Sequence, residues 1–327
     1  MSMLIPNLEE LVATDHKYRK ILKLVDFEKL TSKFKSAYSN VGRGGYPISS
    51  GFKALLLQFM EDKSDRQMEE FLKYDLSAKL FCGFGLKDET PVHSYFGALR
   101  ARLGLHRLTE LFKQVQKALK DQGLIREVFT FVDATDFRSR IDIWKARDVA
   151  IADSENDETD DDGNPTMNNQ NMSKYTSDPD ARFGCKGKNK RWIGYKNHVS
   201  VDMSHGLINK VKVTGANVHD SHAVKDICPD SGMVFGDKAY CVKRSQEAIS
   251  NNNCHSAAIL KNNMIGKDKN KDGWLTKVRM PFEGTFASMS KVARYRGTDK
   301  NEFQAIMQAL GFNLKRLIKI QADPIPI

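Results

Sequence analysis

The chain has 327 residues, enough for about two domains, since one domain usually takes about 100–200 residues. Its formal net charge of +10 favours a polyanionic partner, either nucleic acid or an anionic membrane surface. No apolar run approaches the roughly 20 residues of a membrane span, the first residues lack a signal-peptide core, and the five scattered cysteines form no CxxC motif. These features exclude a membrane span and a disulfide framework, and predict a cytoplasmic protein.

Residues 1–122 are predicted to be helical, because apolar residues recur there at helical spacing. Glycines and a proline interrupt the pattern in VGRGGYP, after which Ser49 or Ser50 can cap a helix. A second helix is predicted after Ser64, and a third from Thr90-Pro91, a cap followed by a first-turn proline. Short helices joined by polar turns fit a helix-turn-helix module or an ordinary small bundle.

Residues 123–327 have a different pattern, typical of an α/β layer with a mixed sheet. EVFTFVDATDF, residues 127–137, is predicted to be a buried strand that ends in acids. Residues 196–215 predict a hairpin, residues 232–237 a short strand ending in an acid, and residues 254–260 another strand. A helix is predicted over residues 302–320.

Two loops of opposite charge are predicted between the first strand and the hairpin. Residues 153–162 hold seven carboxylates, and the next ten or so are Asn-rich, so about 150–175 is predicted to be a mobile loop. The following stretch is basic and predicts either a solvated loop or a contact with the DNA backbone. Its candidate DNA contacts are Lys188, Lys190, Arg191 and Lys196.

KVRMPFEGTFASMSKVARYRG, residues 277–297, places one acid among several cations. Pro281 suits the first turn of a helix, which would set Glu283 at the positive end of the helix dipole. The cations Arg279, Lys291, Arg294 and Arg296 are candidate DNA contacts. An amphipathic surface helix with an ordinary glutamate is the alternative.

Three acids form a candidate metal site: Asp133, Asp237 and Glu283. Carboxylates at strand ends lie where an α/β sheet usually opens its site. Such acids can hold two Mg²⁺ ions, which prefer hard oxygen ligands. Asp136 could replace Asp133, and Asp202 or Asp220 could replace Asp237.

Several motifs, in order along nearly the whole chain, give a resemblance to a known family. GRGGYPISSGFKALLLQFMEDKSDRQMEEFL and GFGLKDETPVHSYF resemble its N-terminal domain, and FVDAT, DPDARF, GYKNHVSVD and GDKAY its catalytic core. RMPFEGTF, ARYRG and NEFQAIMQALGFNLKRL resemble its closing segment. The family is that of the DDE transposases of bacterial insertion sequences, specifically insertion-sequence family five.

The resemblance implies an RNase H-like catalytic domain over 123–327, preceded by a helical, helix-turn-helix-like DNA-binding domain over 1–122. It implies that Asp133, Asp237 and Glu283 are catalytic and bind two divalent ions, Mg²⁺ or Mn²⁺. Water would cut the phosphodiester at the ends of the element, and the released 3′-hydroxyl would attack target DNA. The implied partners are double-stranded DNA, as element ends and target, and a second copy of the chain in the DNA complex.

The closing segment departs from the family pattern at two positions. Thr276 stands where the family has a tyrosine, and Ser290 where it has a lysine seven residues after the glutamate. On a helix Ser290 would share a face with Glu283, so Ser290→Lys is expected to raise activity. Alternative functions are a catalytically weak DNA-binding descendant and a metal-dependent nuclease without strand transfer.

Overall fold

The computed structural model of the chain describes residues 7–37, 45–141, 169–170, 172–186 and 190–326. Lys188 and most of the predicted acidic loop at 150–175 lie outside these residues. By its internal contacts the chain divides into two units, one running to Ile125 and resuming at Ile306, the other from Arg126 to Ala305. The sequence placed the residues after 305 in the second domain instead. Within the described ranges, no helix is both long and apolar enough to cross a membrane.

Helices make up the first unit, as the apolar spacing predicts. They are α1 (Leu8–Leu11), α2 (Lys17–Leu24), α3 (Phe27–Thr31), α4 (Ile48–Met60), α5 (Asp65–Tyr74), α6 (Leu76–Cys82) and α7 (His93–Asp121). A kink interrupts α7 at Gly104, which has a positive φ of 63°. Aromatic rings of α3, α4 and α6 meet in the core of this unit, with Phe27 next to both Phe52 and Phe81.

The predicted caps have mixed outcomes. Ser64 is confirmed, because it forms a reciprocal capping box with Gln67 at the start of α5. Ser49 and Ser50 are wrong as caps, since both lie buried within α4 behind Pro47. The Thr90 cap is also wrong: α7 begins at His93, whose backbone N–H donates to Glu69 Oε2 at 2.7 Å, so a neighbouring helix supplies the acceptor.

A seven-stranded mixed sheet forms the centre of the second unit. Its strands are β1 (Phe129–Ser139), β2 (Arg182–Lys186), β3 (Lys190–Asp202), β4 (Leu207–Gly215), β5 (Gly232–Gly236), β6 (Cys254–Ala258) and β7 (Val292–Ala293). The later helices are α8 (Met172–Tyr175), α9 (Val224–Ile227), α10 (Lys243–Asn251), α11 (Lys269–Ser288) and α12 (Thr298–Lys319). The residues of α12 from Ile306 onward belong to the first unit. The mixed α/β class predicted for this part of the chain is confirmed.

The sheet runs in the order β2-β3-β1-β5-β6, with β4 paired to β3 and β7 paired to β1. Strand β1 is antiparallel to β3 but parallel to β5 and β7, and β5 is parallel to β6. The predicted hairpin is confirmed as β3 and β4. Successive side chains of β1 point to opposite faces, so Phe131 and Asp133 share one face while Val132 is buried in the other.

Three predictions about this unit are wrong. Strand β1 does not end at its acids, because β3 pairs with it as far as Arg138 and places Asp133 in its interior. The basic stretch is not simply a loop, because residues 182–186 and 190–194 pair as antiparallel strands. Pro281 does not begin a helix: α11 starts twelve residues earlier, at Lys269, where Asp268 accepts hydrogen bonds from the backbone N–H groups of Asn270 and Lys271.

Candidate active site

Asp133 and Asp237 come together through the parallel pairing of β1 with β5. The register sets Phe131 opposite Phe235. Two residues beyond this pair, in the shared direction of the two strands, Asp133 is level with Asp237, the first residue after β5. Each carboxylate accepts one local backbone hydrogen bond, Asp133 from Ala134 N at 2.8 Å and Asp237 from Ala239 N at 2.7 Å.

The electrostatics of Asp133 show that negative charge accumulates here. The pKa of Asp133 is raised to about 6, and burial is the largest cause. The charges of Asp237 and Asp220 also raise this pKa, whereas the N–H of Ala134 and the charge of Lys186 lower it. Closely spaced carboxylates with incomplete compensation are suited to a divalent cation, because Mg²⁺ and Mn²⁺ prefer hard oxygen donors. The donor chemistry of this pair therefore fits the divalent metal that the sequence resemblance implies.

The alternative acids are already engaged elsewhere. Asp136 bonds to Lys190 Nζ at 2.7 Å and Arg138 Nε at 2.9 Å. Burial raises the pKa of Asp136, but these two cations outweigh it and lower the pKa overall. Asp202 is fully buried and accepts hydrogen bonds from the backbone N–H groups of residues 126, 127 and 204.

Asp220 is the third carboxylate close enough to influence Asp133. It begins a short 3₁₀ helix, Asp220–His222, and its Oδ1 lies 2.8 Å from Lys196 Nζ. Lys196 also donates to the carbonyl of Val218 at 2.8 Å. Two predicted DNA contacts, Lys190 and Lys196, thus form ion pairs with acids in this structure.

Glu283 lies on α11, which covers the sheet face that carries Asp133. The ring of Phe131 meets the Arg279 guanidinium at 5.5 Å and the Phe286 ring at 5.4 Å. Arg279, Glu283 and Phe286 follow the i, i+4, i+7 spacing of one helix face. The Glu283 side chain is 54% exposed, and its Oε1 is 3.7 Å from Arg279 Nη2.

The structure does not bring Glu283 into contact with the aspartate pair. Across the described ranges, no three His, Cys, Asp or Glu side chains are close enough together to ligate one ion. The sequence-predicted acids are therefore arranged as an adjacent pair on the sheet and a third member on the helix above it.

The cations after Glu283 lie beyond the end of α11, which stops at Ser288. Ser290 therefore does not share a helix face with Glu283, and the shared face predicted from the seven-residue spacing is wrong. Lys291 is exposed, and its carbonyl accepts a hydrogen bond from Arg138 N at 2.7 Å, next to the end of β1. Arg294 is half-buried and Arg296 is exposed. Arg191 is also exposed.

Tyr240 was not singled out from the sequence. Its side chain is buried, and within the described part of the chain its hydroxyl has no hydrogen-bond partner. Burial raises the pKa of Tyr240, and the charges of Asp133, Asp220 and Asp237 raise it further. The phenol thus lies close to the carboxylates, and its place three residues after Asp237 in GDKAY was the available signal.

Comparison with known proteins yields two family matches and one structural match. A family model described as Transposase DDE domain matches residues 144–314, and one described as Transposase domain (DUF772) matches residues 6–102. No curated protein matches the chain. A solved structure titled "Mos1 transposase paired-end complex with left transposon end" aligns over 91% of this chain and 87% of its own, with 8% identity and a TM-score of 0.18.

Proposed function

Because the chain belongs to the Transposase DDE domain family, we propose that it binds the terminal inverted repeats of an insertion sequence, cleaves the DNA there and joins the 3′-hydroxyl ends to target DNA. Membership of insertion-sequence family five and an RNase H-like catalytic unit are parts of this proposal. A transposase must hydrolyse a phosphodiester and then perform transesterification at the same site. The residues of the chain therefore have to hold metal, water and two DNA segments in turn.

The observation that carries the proposal is the register that sets Asp133 level with Asp237 on neighbouring parallel strands. These two acids would hold divalent ions, Mg²⁺ or Mn²⁺, with Glu283 as the third ligand. When bound, two such ions would supply polarisation of the attacking and leaving oxygens. Glu283 is supported by the packing of α11 on Phe131, two residues from Asp133 on the same face.

The remaining residues would orient DNA rather than react with it. Arg191, Lys291 and Arg296 are exposed, so these are the cations most open to phosphate. Three of the predicted DNA contacts would act mainly through the acids and rings that they touch, namely Arg279, Lys190 and Lys196. Arg294 would contact DNA from a half-buried position. The helical unit would add DNA binding, and a second copy of the chain would join in the complex that holds both element ends.

The proposal is tested with purified protein on DNA that carries the inverted repeats flanking the encoding gene, with Mg²⁺ or Mn²⁺. Cleavage should fall more than about 100-fold in each of Asp133→Asn, Asp237→Asn and Glu283→Gln. Loss of a residue that merely orients a metal ligand already costs up to about 100-fold in activity, so loss of a ligand should cost more. DNA binding and folding should persist. Asp136→Asn is the matched control, because it lies on the same strand but is paired with Lys190 and Arg138, and it should still cut.

Other outcomes would identify the alternative functions. Binding to the element ends without cutting would indicate a DNA-binding descendant. Cutting that never joins ends would indicate a nuclease. Full activity of Asp133→Asn would overturn the assigned acids.

A further inference from the structure

A fully buried carboxylate, Asp178, ties the basic turn before α12 to the sheet. Its Oδ1 accepts the Tyr195 hydroxyl at 2.6 Å and the backbone N–H of Gly297 at 2.9 Å. The same Gly297 N–H is 3.1 Å from the Tyr195 oxygen. Ser139, the last residue of β1, donates to Oδ2 at 3.4 Å. One side chain therefore joins β1, β3 and the turn.

A second carboxylate continues this connection. Asp180 Oδ2 accepts the backbone N–H of Thr298, the first residue of α12, at 2.8 Å. The two bonded N–H groups belong to consecutive residues, Gly297 and Thr298. Gly297 has a φ of +93°, a left-handed conformation that favours glycine. Both acids belong to DPDARF, so this motif fixes the backbone just after Arg296.

Side chains of α12 hold the same turn from its other side. Asn301 accepts Tyr295 N at 3.3 Å and donates to the carbonyls of Tyr295 and Gly297. Gln304 accepts Arg294 N at 2.9 Å and donates to the carbonyl of Val292 at 2.9 Å. The backbone on both sides of Arg296 is thus bonded, while its side chain is exposed.

From this arrangement we infer that Asp178 and Asp180 are positioning residues that hold Arg296 ready to grip a DNA phosphate. A preformed backbone lowers the entropy lost on binding, and a guanidinium can donate two parallel hydrogen bonds to phosphate. The inference rests on the proposed function, because it presupposes that this surface meets DNA. It adds a role for the DPDARF acids, which act through the backbone N–H groups that they bond.

The test measures binding of the full chain to a short fluorescein-labelled DNA duplex of arbitrary sequence, as a function of salt. Arg296→Ala should weaken binding about tenfold, in keeping with loss of one charge-assisted hydrogen bond, and reduce the log–log salt slope by about 0.9. Asp178→Ala should weaken binding by a similar factor, and Asp180→Ala by less. The Asp178→Ala, Arg296→Ala double variant should bind DNA no more weakly than Arg296→Ala alone, because both substitutions remove the same contact between Arg296 and phosphate.

Three further variants and measurements separate positioning from a general loss of structure. Asp178→Asn keeps an acceptor for Tyr195 and Gly297, so it should restore most of the binding. Glu302→Gln is the matched control, a buried acid on α12 that bonds to Lys212 and Val213 N away from the turn. Asp178→Ala should also speed amide hydrogen exchange at Gly297 and Thr298 without DNA.

Each contrary result has a distinct meaning. If Arg296→Ala binds as tightly as wild type, Arg296 does not grip DNA and the inference falls, whereas the carboxylate test of the proposed function is unaffected. If Arg296→Ala weakens binding but Asp178→Ala does not, or their effects add, only the positioning role is overturned. An equal loss in Glu302→Gln would also overturn it.

Discussion

Arg279 places its guanidinium 5.5 Å from the centre of the Phe131 ring, on the sheet face that carries Asp133 two residues later. Its side chain is only 12% exposed, although it was predicted as a DNA contact. Cation–π contact and burial of the aliphatic stem make it an anchor between α11 and β1. Because Glu283 is one helical turn further along, this anchor also determines where the third proposed acid lies.

Arg279→Ala should therefore lower stability by about 1–2 kcal/mol and lower the rate of cleavage on bound DNA, because α11 loses its contact with Phe131. Arg279→Lys should keep part of the stability and part of the cleavage rate, since lysine retains a charge and an aliphatic stem but not the planar guanidinium. Urea unfolding and a single-turnover cleavage assay measure the two effects. Lys277→Ala, an exposed cation on the same helix, is the control. Unchanged stability in Arg279→Ala would refute the anchor.

The elements with strong local patterns were predictable from the sequence. The hairpin of β3 and β4 follows from alternation around Ser204-His205-Gly206, and α5 from the Ser64 cap. The start of α11 was not, because the apolar spacing near Pro281 resembles a beginning while the true cap, Asp268, lies in a polar stretch. Likewise β1 runs past its acids because β3 pairs with them, a tertiary effect that local pattern does not contain.

The site was partly predictable for a similar reason. Asp133 and Asp237 were picked from strand patterns and motifs, but their adjacency depends on the β1–β5 register. The ion pair of Lys196 with Asp220 joins residues 24 positions apart, so a basic stretch that looked free to bind DNA is partly committed to acids. The role of Asp178 could not be predicted from local pattern, because its partners lie on β1, β3 and the turn before α12. Only its place in the DPDARF motif singled it out in the sequence.

Lys291, rather than residue 290, should supply the cation next to the end of β1. Ser290→Lys is expected to leave cleavage within about twofold of wild type, because position 290 is beyond the end of α11 and the Ser290 hydroxyl accepts Val292 N at 3.3 Å. Lys291→Ala should weaken binding and reduce the salt slope by about 0.9. Parallel assays on DNA that carries the element ends decide this, with Lys300→Ala as an exposed control. A clear gain in Ser290→Lys would restore the family pattern as the better guide.

The first unit should lose stability at acidic pH because of Glu61. Burial raises the pKa of Glu61, but the hydrogen bond from Lys17 at 2.8 Å and the charges of Lys315 and Lys17 lower it overall. A carboxylate with a lowered folded-state pKa stabilises the protein above its unfolded pKa, and that contribution disappears as pH falls through the folded pKa. Glu61→Gln should cost about 1 kcal/mol at neutral pH, given its partial exposure, and progressively less below about pH 4.5.

Thermal or urea unfolding of wild type and Glu61→Gln across this pH range measures the effect. Glu110→Gln is a suitable control, because Lys113 also lowers the pKa of Glu110, but this i, i+3 pair is exposed and should contribute little stability. A stability difference that stays constant from neutral to acid pH would contradict the assignment to the Glu61 charge.

Gly232 sets the start of β5 against β1, and its replacement tests whether this register aligns the two aspartates. Its φ is +91°, and a Cβ there would overlap the backbone carbonyl oxygen of Glu127, which no rotamer change can relieve. Met233 N donates to the carbonyl of Val128 at 2.9 Å, so a shift at Gly232 would disturb the pairing that leads to Asp237.

Gly232→Ala should therefore destabilise the protein by about 2–4 kcal/mol and lower cleavage more than it lowers DNA binding, because strain and lost pairing both act at the carboxylate pair. Gly273→Ala is the matched control: this glycine lies exposed on α11 with open space around its Cα, and alanine should stabilise the helix by up to about 1 kcal/mol. Urea unfolding and cleavage on DNA that carries the element ends measure the contrast. If Gly232→Ala matches wild type in stability and cleavage, the close approach of Gly232 to Glu127 does not set the register, and the alignment of Asp133 with Asp237 must depend on the pairing of residues 129–131 with residues 233–235 alone.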